Sequence, residues 1–142
     1  MVAEEKEDIS EQLMNDIETY LNDVIVNQEK IIDICDASIG NFGAKCVAEA
    51  ISECEGLEEI KLSNCDIKDE GALSIFEKLR SVKNSVTIID LSRNQLTEKC
   101  FDGLIQMLNI NRTIQKIELR GISVKNKFSL HKIKAYLNRV VV

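Results

Sequence analysis

Leu57-Glu58-Glu59-Ile60-Lys61-Leu62-Ser63-Asn64-Cys65-Asp66-Ile67 sets apolar residues at 57, 60, 62 and 67, with a cysteine at 65. The same order returns as Val86, Ile89, Leu91, Asn94 and Leu96, and again as Ile114, Ile117, Leu119, Ile122 and Val124. A weaker first copy holds Ile32, Ile34, Ala37 and Ile39 in register. The steps from Ile32 to Ile60, Ile89 and Ile117 are 28, 29 and 28 residues. A fixed step of this size marks a solenoid, in which no unit buries its apolar face alone.

Each unit has two parts. The alternating pairs Ile32/Ile34, Ile60/Leu62, Ile89/Leu91 and Ile117/Leu119 predict short strands. Helically spaced sets follow: Val47, Ala48 and Ile51; Leu73, Ile75, Phe76 and Leu79; Phe101, Leu104, Ile105 and Leu108; Leu130, Ile133, Tyr136 and Leu137. Strands joined by helical crossovers run parallel in one sheet, with the helices on one side of it. Gly43 and Gly71, at matching places in their units, predict a close approach of each helix start to its neighbour. Cys65 and Asn94 fall where a side chain must serve the buried backbone of the turn, a task an amide performs and a thiol approximates. Ala37 and Ile122 cannot do this, so the outer units are degenerate there. Before the first unit, Ile9, Leu13, Ile17, Leu21 and Ile25 form one stripe on a helix. That stripe suits a cap over the end of the array, or a helix offered to a partner. The expected layout is a cap helix over 1–28, repeats at 29–56, 57–85 and 86–113, and a last repeat with a C-terminal cap helix over 114–142. Helices at both ends would close the array.

Composition narrows the function. The net charge of −6 and aromatic content of 4% disfavour nucleic-acid binding, which rests on basic surface and stacking. No run approaches the ~18 apolar residues of a membrane span. Glu4, Glu5, Glu7 and Asp8 make the start acidic, unlike a targeting peptide. The five cysteines are odd in number and form no C-x-x-C pair, which suggests reduced thiols and a cytoplasmic location. His131 is the sole histidine, and no phosphate loop, dinucleotide fingerprint or H-E-x-x-H occurs. Cys100 falls in a turn-to-helix position that suits a buried structural thiol. We therefore expect no enzyme, no cofactor, no metal and no small-molecule substrate.

The period, with a full helix per unit, resembles the ribonuclease-inhibitor-like class of leucine-rich repeats, which is carried most clearly by the phrase from Leu57 to Leu73. The resemblance covers residues 29 to about 137. It implies an α/β fold: a right-handed leucine-rich-repeat solenoid with four parallel strands on the concave side, helices on the convex side and helical caps at both ends. Ile17-Glu-Thr-Tyr-Leu-Asn-Asp-Val-Ile-Val-Asn, leading into the first strand, is similar to the C-terminal domain of tropomodulins and leiomodins. So is Met107-Leu-Asn-Ile-Asn-Arg-Thr-Ile-Gln-Lys-Ile, leading into the last. That likeness implies actin as a partner. The chain is expected to depart from that family in having four strands rather than five, and in having no counterpart of the N-terminal half that carries tropomyosin and further actin sites.

With the consensus positions committed to the core, function falls to the residues between them. Outward strand positions form three rows: Ile31, Glu59, Ile88 and Lys116; Asp33, Lys61, Asp90 and Glu118; Cys35, Ser63, Ser92 and Arg120. Neighbouring strands lie ~4.8 Å apart, so Lys61 between Asp33 and Asp90 reads either as a self-satisfied charge ladder or as a recognition strip. Ile31 and Ile88 are apolar on a polar face and become candidate anchors, unless a register slip turns one inward. Charge is also divided along the chain, with net −7 over residues 1–23 and net +7 over residues 112–142. The basic end, with Lys125, Lys127, Lys132, Lys134 and Arg139, is either a solvated cap or a dock for an acidic partner. Two classes of function remain: a protein-interaction module, actin-binding among its versions, or a structural subunit of a larger assembly.

Overall fold

A computed structural model describes residues 9–142; the acidic run Glu4–Asp8 lies outside them. Each strand is short, and its central residue is fully buried. The strands are β1 (Ile31–Asp33), β2 (Glu59–Lys61), β3 (Ile88–Asp90) and β4 (Lys116–Glu118), centred on Ile32, Ile60, Ile89 and Ile117. Five helices alternate with them: α1 (Glu11–Val26), α2 (Gly40–Glu53), α3 (Asp69–Ser81), α4 (Phe101–Ile110) and α5 (Lys127–Ile133). All strand pairs are parallel and adjacent in chain order, with Ile32, Ile60, Ile89 and Ile117 aligned across the sheet.

A fifth strand, β5 (Val140–Val141), extends the sheet beyond β4, where four strands were expected. Val140 pairs with Ile117 at a shorter step than the 28 or 29 residues of the other units. Val140, Val141 and Val142 are uniformly apolar and show no alternation, so no strand period marks them. The C-terminal cap is accordingly a short helix, a 3₁₀ turn at Lys134–Tyr136 and a strand, rather than one long helix.

Arg139 anchors that end. Its guanidinium donates to the carbonyls of Ile114 (2.9 Å), Leu108 (3.2 Å) and Asn111 (2.9 Å), around the C-terminus of α4. A cation suits a helix C-terminus, where carbonyls lack partners. Arg139 therefore belongs to the fold and not to a free basic surface. At the other end Ser10 caps α1, accepting from the Leu13 N–H at 3.1 Å, and Ile17, Leu21 and Val24 bury its inner face. The Tyr20 hydroxyl accepts the Asp33 N–H of the edge strand at 2.9 Å, as befits a cap.

Side chains also bridge the repeats. Asn94 Oδ1 accepts the N–H groups of Cys65 (2.9 Å) and Ile67 (3.0 Å) in the preceding turn. Its Nδ2 donates to the carbonyls of Leu62, Leu91 and Ser92 at 2.8, 3.0 and 3.3 Å. Cys65 reaches back more weakly, its thiol donating to the Ile34 carbonyl at 2.8 Å. A second ladder stands nine residues past each strand centre. Asn41 Oδ1 accepts from Lys68 and Gly71 N–H, both at 3.0 Å. Asp69 accepts from the Thr97 N–H and hydroxyl, at 2.9 and 2.6 Å, and Glu98 from the Asn126 N–H at 3.0 Å. The starts of α3, of the short 3₁₀ turn leading into α4 and of α5 are thus each held by the repeat before. Gly71 makes room: a Cβ there would stand 2.6 Å from Asn41 Oδ1 and 2.9 Å from the Ala44 methyl.

Replacing Asn94 with alanine strands buried groups on both sides, so Asn94→Ala is expected to destabilise the protein by about 3 kcal/mol and Cys65→Ala by about 1 kcal/mol. Urea unfolding of the two variants measures the difference; equal losses would show that the amide does not hold the turns.

Candidate functional site: the open face of the sheet

The outward residues of the strands fall into two aligned rows. Ile31 is paired with Glu59, Ile88 and Lys116 in register, and Asp33 with Lys61, Asp90 and Glu118. Ile31 is 44% exposed on this face and Ile88 is half-buried. Their neighbours Ile32 and Ile89 are 0% exposed, so neither row has slipped.

The expected ladder across the strands is absent as a set of ion pairs. Lys61 pairs with Glu59 of its own strand at 3.8 Å, and Lys116 with Glu118 at 2.7 Å. Asp33 and Asp90 turn to their own backbone, accepting the N–H of Cys35 (3.3 Å) and Ser92 (2.9 Å). A short aspartate reaches its own chain two residues on more readily than a neighbouring strand. Exposed pairs of this kind contribute ~0–1 kcal/mol each and leave the surface available.

The third row closes over at the C-terminal ends of the strands. Ser63 and Ser92 are buried rather than open, while Arg120 remains exposed. Ser92 Oγ accepts the Arg120 N–H at 3.2 Å. Ser63 Oγ has no partner, alone in this among the buried side-chain nitrogens and oxygens of the described residues. An unpartnered buried hydroxyl costs ~1–3 kcal/mol. Ser63, Asp90, Ser92, Arg93, Glu118 and Arg120 line an open cleft of about 380 Å³ there. Arg93 was not singled out from the sequence, and Ser63 was placed only as one member of the third outward row. The available signal was the position three residues past each strand, held by Asp36, Asn64, Arg93 and Gly121, all at positive φ.

Lys132 and Lys134 lie apart from this face, on α5 and the turn after it. Lys132 pairs with Asp102 of α4 at 3.4 Å, and Lys134 is exposed. Leu130 and Leu137, expected inward, are 42% and 51% exposed, with Phe128 at 76% and Val142 at 45%. The helix position of Leu130 faces along the stack. In α3 the matching Leu73 lies against Gly103 of the next repeat.

A family model for the leucine rich repeat matches residues 54–76. Leiomodin-1 actin-binding site 2 superposes with a TM-score of 0.74 at 16% identity, covering 86% of this chain and 76% of that one. The fold is a leucine-rich repeat solenoid. The tropomodulin C-terminal domain of Caenorhabditis elegans superposes with a TM-score of 0.65, also at 16% identity, over 87% of this chain and 92% of that one. β5 brings the strand count to five, the number that the resemblance to tropomodulins and leiomodins implied. In sequence, the solenoid is 24% identical over 106 residues to human centrosomal protein of 78 kDa, a match spanning 75% of this chain but 14% of that protein's length.

Among the described residues no helix is long and apolar enough to cross a membrane, and no three His, Cys, Asp or Glu side chains are grouped to hold a metal. Burial pushes the Cys65 thiol up to about 11 and the Cys100 thiol up to about 12. Both therefore stay protonated at neutral pH and are poor nucleophiles. Cys35 and Cys46 are half-buried. At pH 8 iodoacetamide is expected to label Cys35 and Cys46 before Cys54, Cys65 and Cys100, as peptide mass mapping would read. Because the folded thiols hold their protons more tightly than the unfolded ones, with a reference pKa of 9.0, their contribution to stability falls as pH rises from 9 toward 12.

Proposed function

We propose that this solenoid is a non-catalytic protein-interaction module that receives a partner on its concave face. The observation that carries the reading is Ile31, a large apolar side chain held out among ion-paired charges and aligned with Glu59 and Ile88. Apolar anchors ringed by polar groups that exclude water are the pattern of binding hot spots. The contact strip comprises Ile31, Asp33, Glu59, Lys61, Ile88, Asp90, Lys116, Glu118 and Arg120. Actin is the first partner to test, because leiomodin-1 actin-binding site 2 shares this architecture over most of the chain. The module acts in the cytoplasm, in keeping with five free thiols.

A second reading is favoured by a separate observation. Phe128, Leu130, Leu137 and Val142 are exposed near Lys132 and Lys134. An apolar and basic end suits an acidic amphipathic partner, or a neighbour in a larger assembly.

Binding to actin, followed by filament co-sedimentation and by pointed-end assembly rates, tests the partner. Ile31→Asp with Lys61→Glu is expected to weaken binding about tenfold, equivalent to ~1.4 kcal/mol, with an unchanged melting curve. Lys132→Glu with Lys134→Glu is expected to leave it unchanged. The reverse pattern would move the site to the C-terminal end, and wild-type protein that neither binds actin nor slows its assembly would remove actin as the partner.

A further inference from the structure

The cleft at the C-terminal ends of β2, β3 and β4 is chemically unlike the rest of the face. Two arginines, Arg93 and Arg120, line it, and neither forms an ion pair among the described residues. The two carboxylates beside them are already engaged. Glu118 is held by Lys116 at 2.7 Å, and Asp90 accepts the Ser92 N–H at 2.9 Å. The wall also holds Ser63, 5% exposed, whose hydroxyl has no partner.

The lack of a partner has a local cause. Ser92 Oγ, one repeat on, accepts the N–H of Arg120 in the following strand. The matching N–H for Ser63 is that of Ser92, and Asp90 has taken it. Ser63 lines the cleft, and its buried hydroxyl keeps a hydrogen to donate.

Arg93 is the second departure from the repeat. The matching turn positions carry Asp36, Asn64 and Gly121, residue types that accept left-handed backbone readily. Arg93 adopts φ 57° there, an uncommon choice for a bulky side chain. Strain of this kind is characteristic of sites whose side chain is needed where it stands.

We propose that this cleft is an anion subsite that takes one acidic side chain of a protein partner, a carboxylate or a phosphate, between Arg93 and Arg120, with Ser63 Oγ donating to it. The proposal rests on the concave face being the binding face and adds the chemistry that face selects. Guanidinium forks match both oxyanions. A volume of about 380 Å³ admits one such side chain. Asp90 and Glu118 on the same wall repel a second acid, so the cleft selects a single anion rather than an acidic run.

The test is an amide and arginine side-chain NMR titration of the full chain with inorganic phosphate, then with blocked glutamate and blocked phosphoserine. Saturable shifts are expected at Ser63, Ser92, Arg93 and Arg120, and the tighter of the two blocked residues identifies the source of the anion. Arg93→Asn, which installs the residue found at Asn64, and Arg120→Gln are each expected to weaken binding about tenfold while the protein stays folded. Ser63→Ala is expected to weaken binding about threefold yet raise the melting temperature by about 3 °C, because it removes a stranded hydroxyl. That opposite movement is one a purely structural serine would not give. Absence of saturable shifts at the rim, or shifts that survive Arg93→Asn and Arg120→Gln, overturns the proposal. Failure here is distinct from failure of the concave reading. Shifts that saturate at the rim uphold the subsite even where Ile31→Asp leaves the partner bound. Partner binding lost on Ile31→Asp, with a silent rim, overturns the subsite alone.

Discussion

Every strand in this molecule is too short to satisfy its own surroundings. Three residues turn sharply into a helix, and the turn leaves N–H and C=O groups buried between repeats. Such groups must be paired or they oppose folding. Asn94 is the most complete answer, because an amide both accepts and donates: it closes the turn of the preceding repeat and its own with five hydrogen bonds. The capping series Asn41, Asp69 and Glu98 does the same for the helix starts. Each repeat is therefore incomplete without the next, which makes the stack behave as a one-dimensional array.

The ends of such an array need different chemistry. At the first strand a tyrosine hydroxyl takes the N–H that a preceding repeat would have taken. At the last, Arg139 gathers three carbonyls and leads directly into the strand that covers β4. The two caps also differ outside. α1 buries Ile17, Leu21 and Val24, leaves Val26 exposed at its end and presents acids, whereas the C-terminal end leaves Phe128, Leu130 and Leu137 exposed among lysines. The solenoid is polar in both senses, in chain direction and in charge.

The open face reflects the same economy of partners. Its charges are settled locally: aspartates on their own backbone, lysines on the glutamate two residues away. Two kinds of group are left over, an apolar anchor at Ile31 and the unpaired arginines at the rim. These are the residues of the face with free energy still to gain from contact with another molecule.

The number of full units, the inward strand centres, the register of the rows and the role of the Asn-or-Cys slot were legible in the sequence. They are repeated local properties, and a period of 28 or 29 residues leaves one way to stack them. β5 was not legible, because two valines followed by a third carry no period; the pairing of Val140 with Ile117 depends on Arg139 holding the chain beside β4. Nor was the direction of the ion pairs, since Lys61 has acids within reach on three sides and only the packed rotamers select Glu59. Leu130 and Leu137 share the helical spacing of core residues, and whether they are covered is decided by what lies across from them in the stack. Ser63 is indistinguishable from Ser92 along the chain, and its stranded hydroxyl exists because a carboxylate on the next strand claims the N–H it would have met. The sequence by itself determined the array, because side-chain identity recurs with the backbone. The tertiary structure alone decided who partners whom between repeats, because that depends on atoms brought together from some 28 residues away.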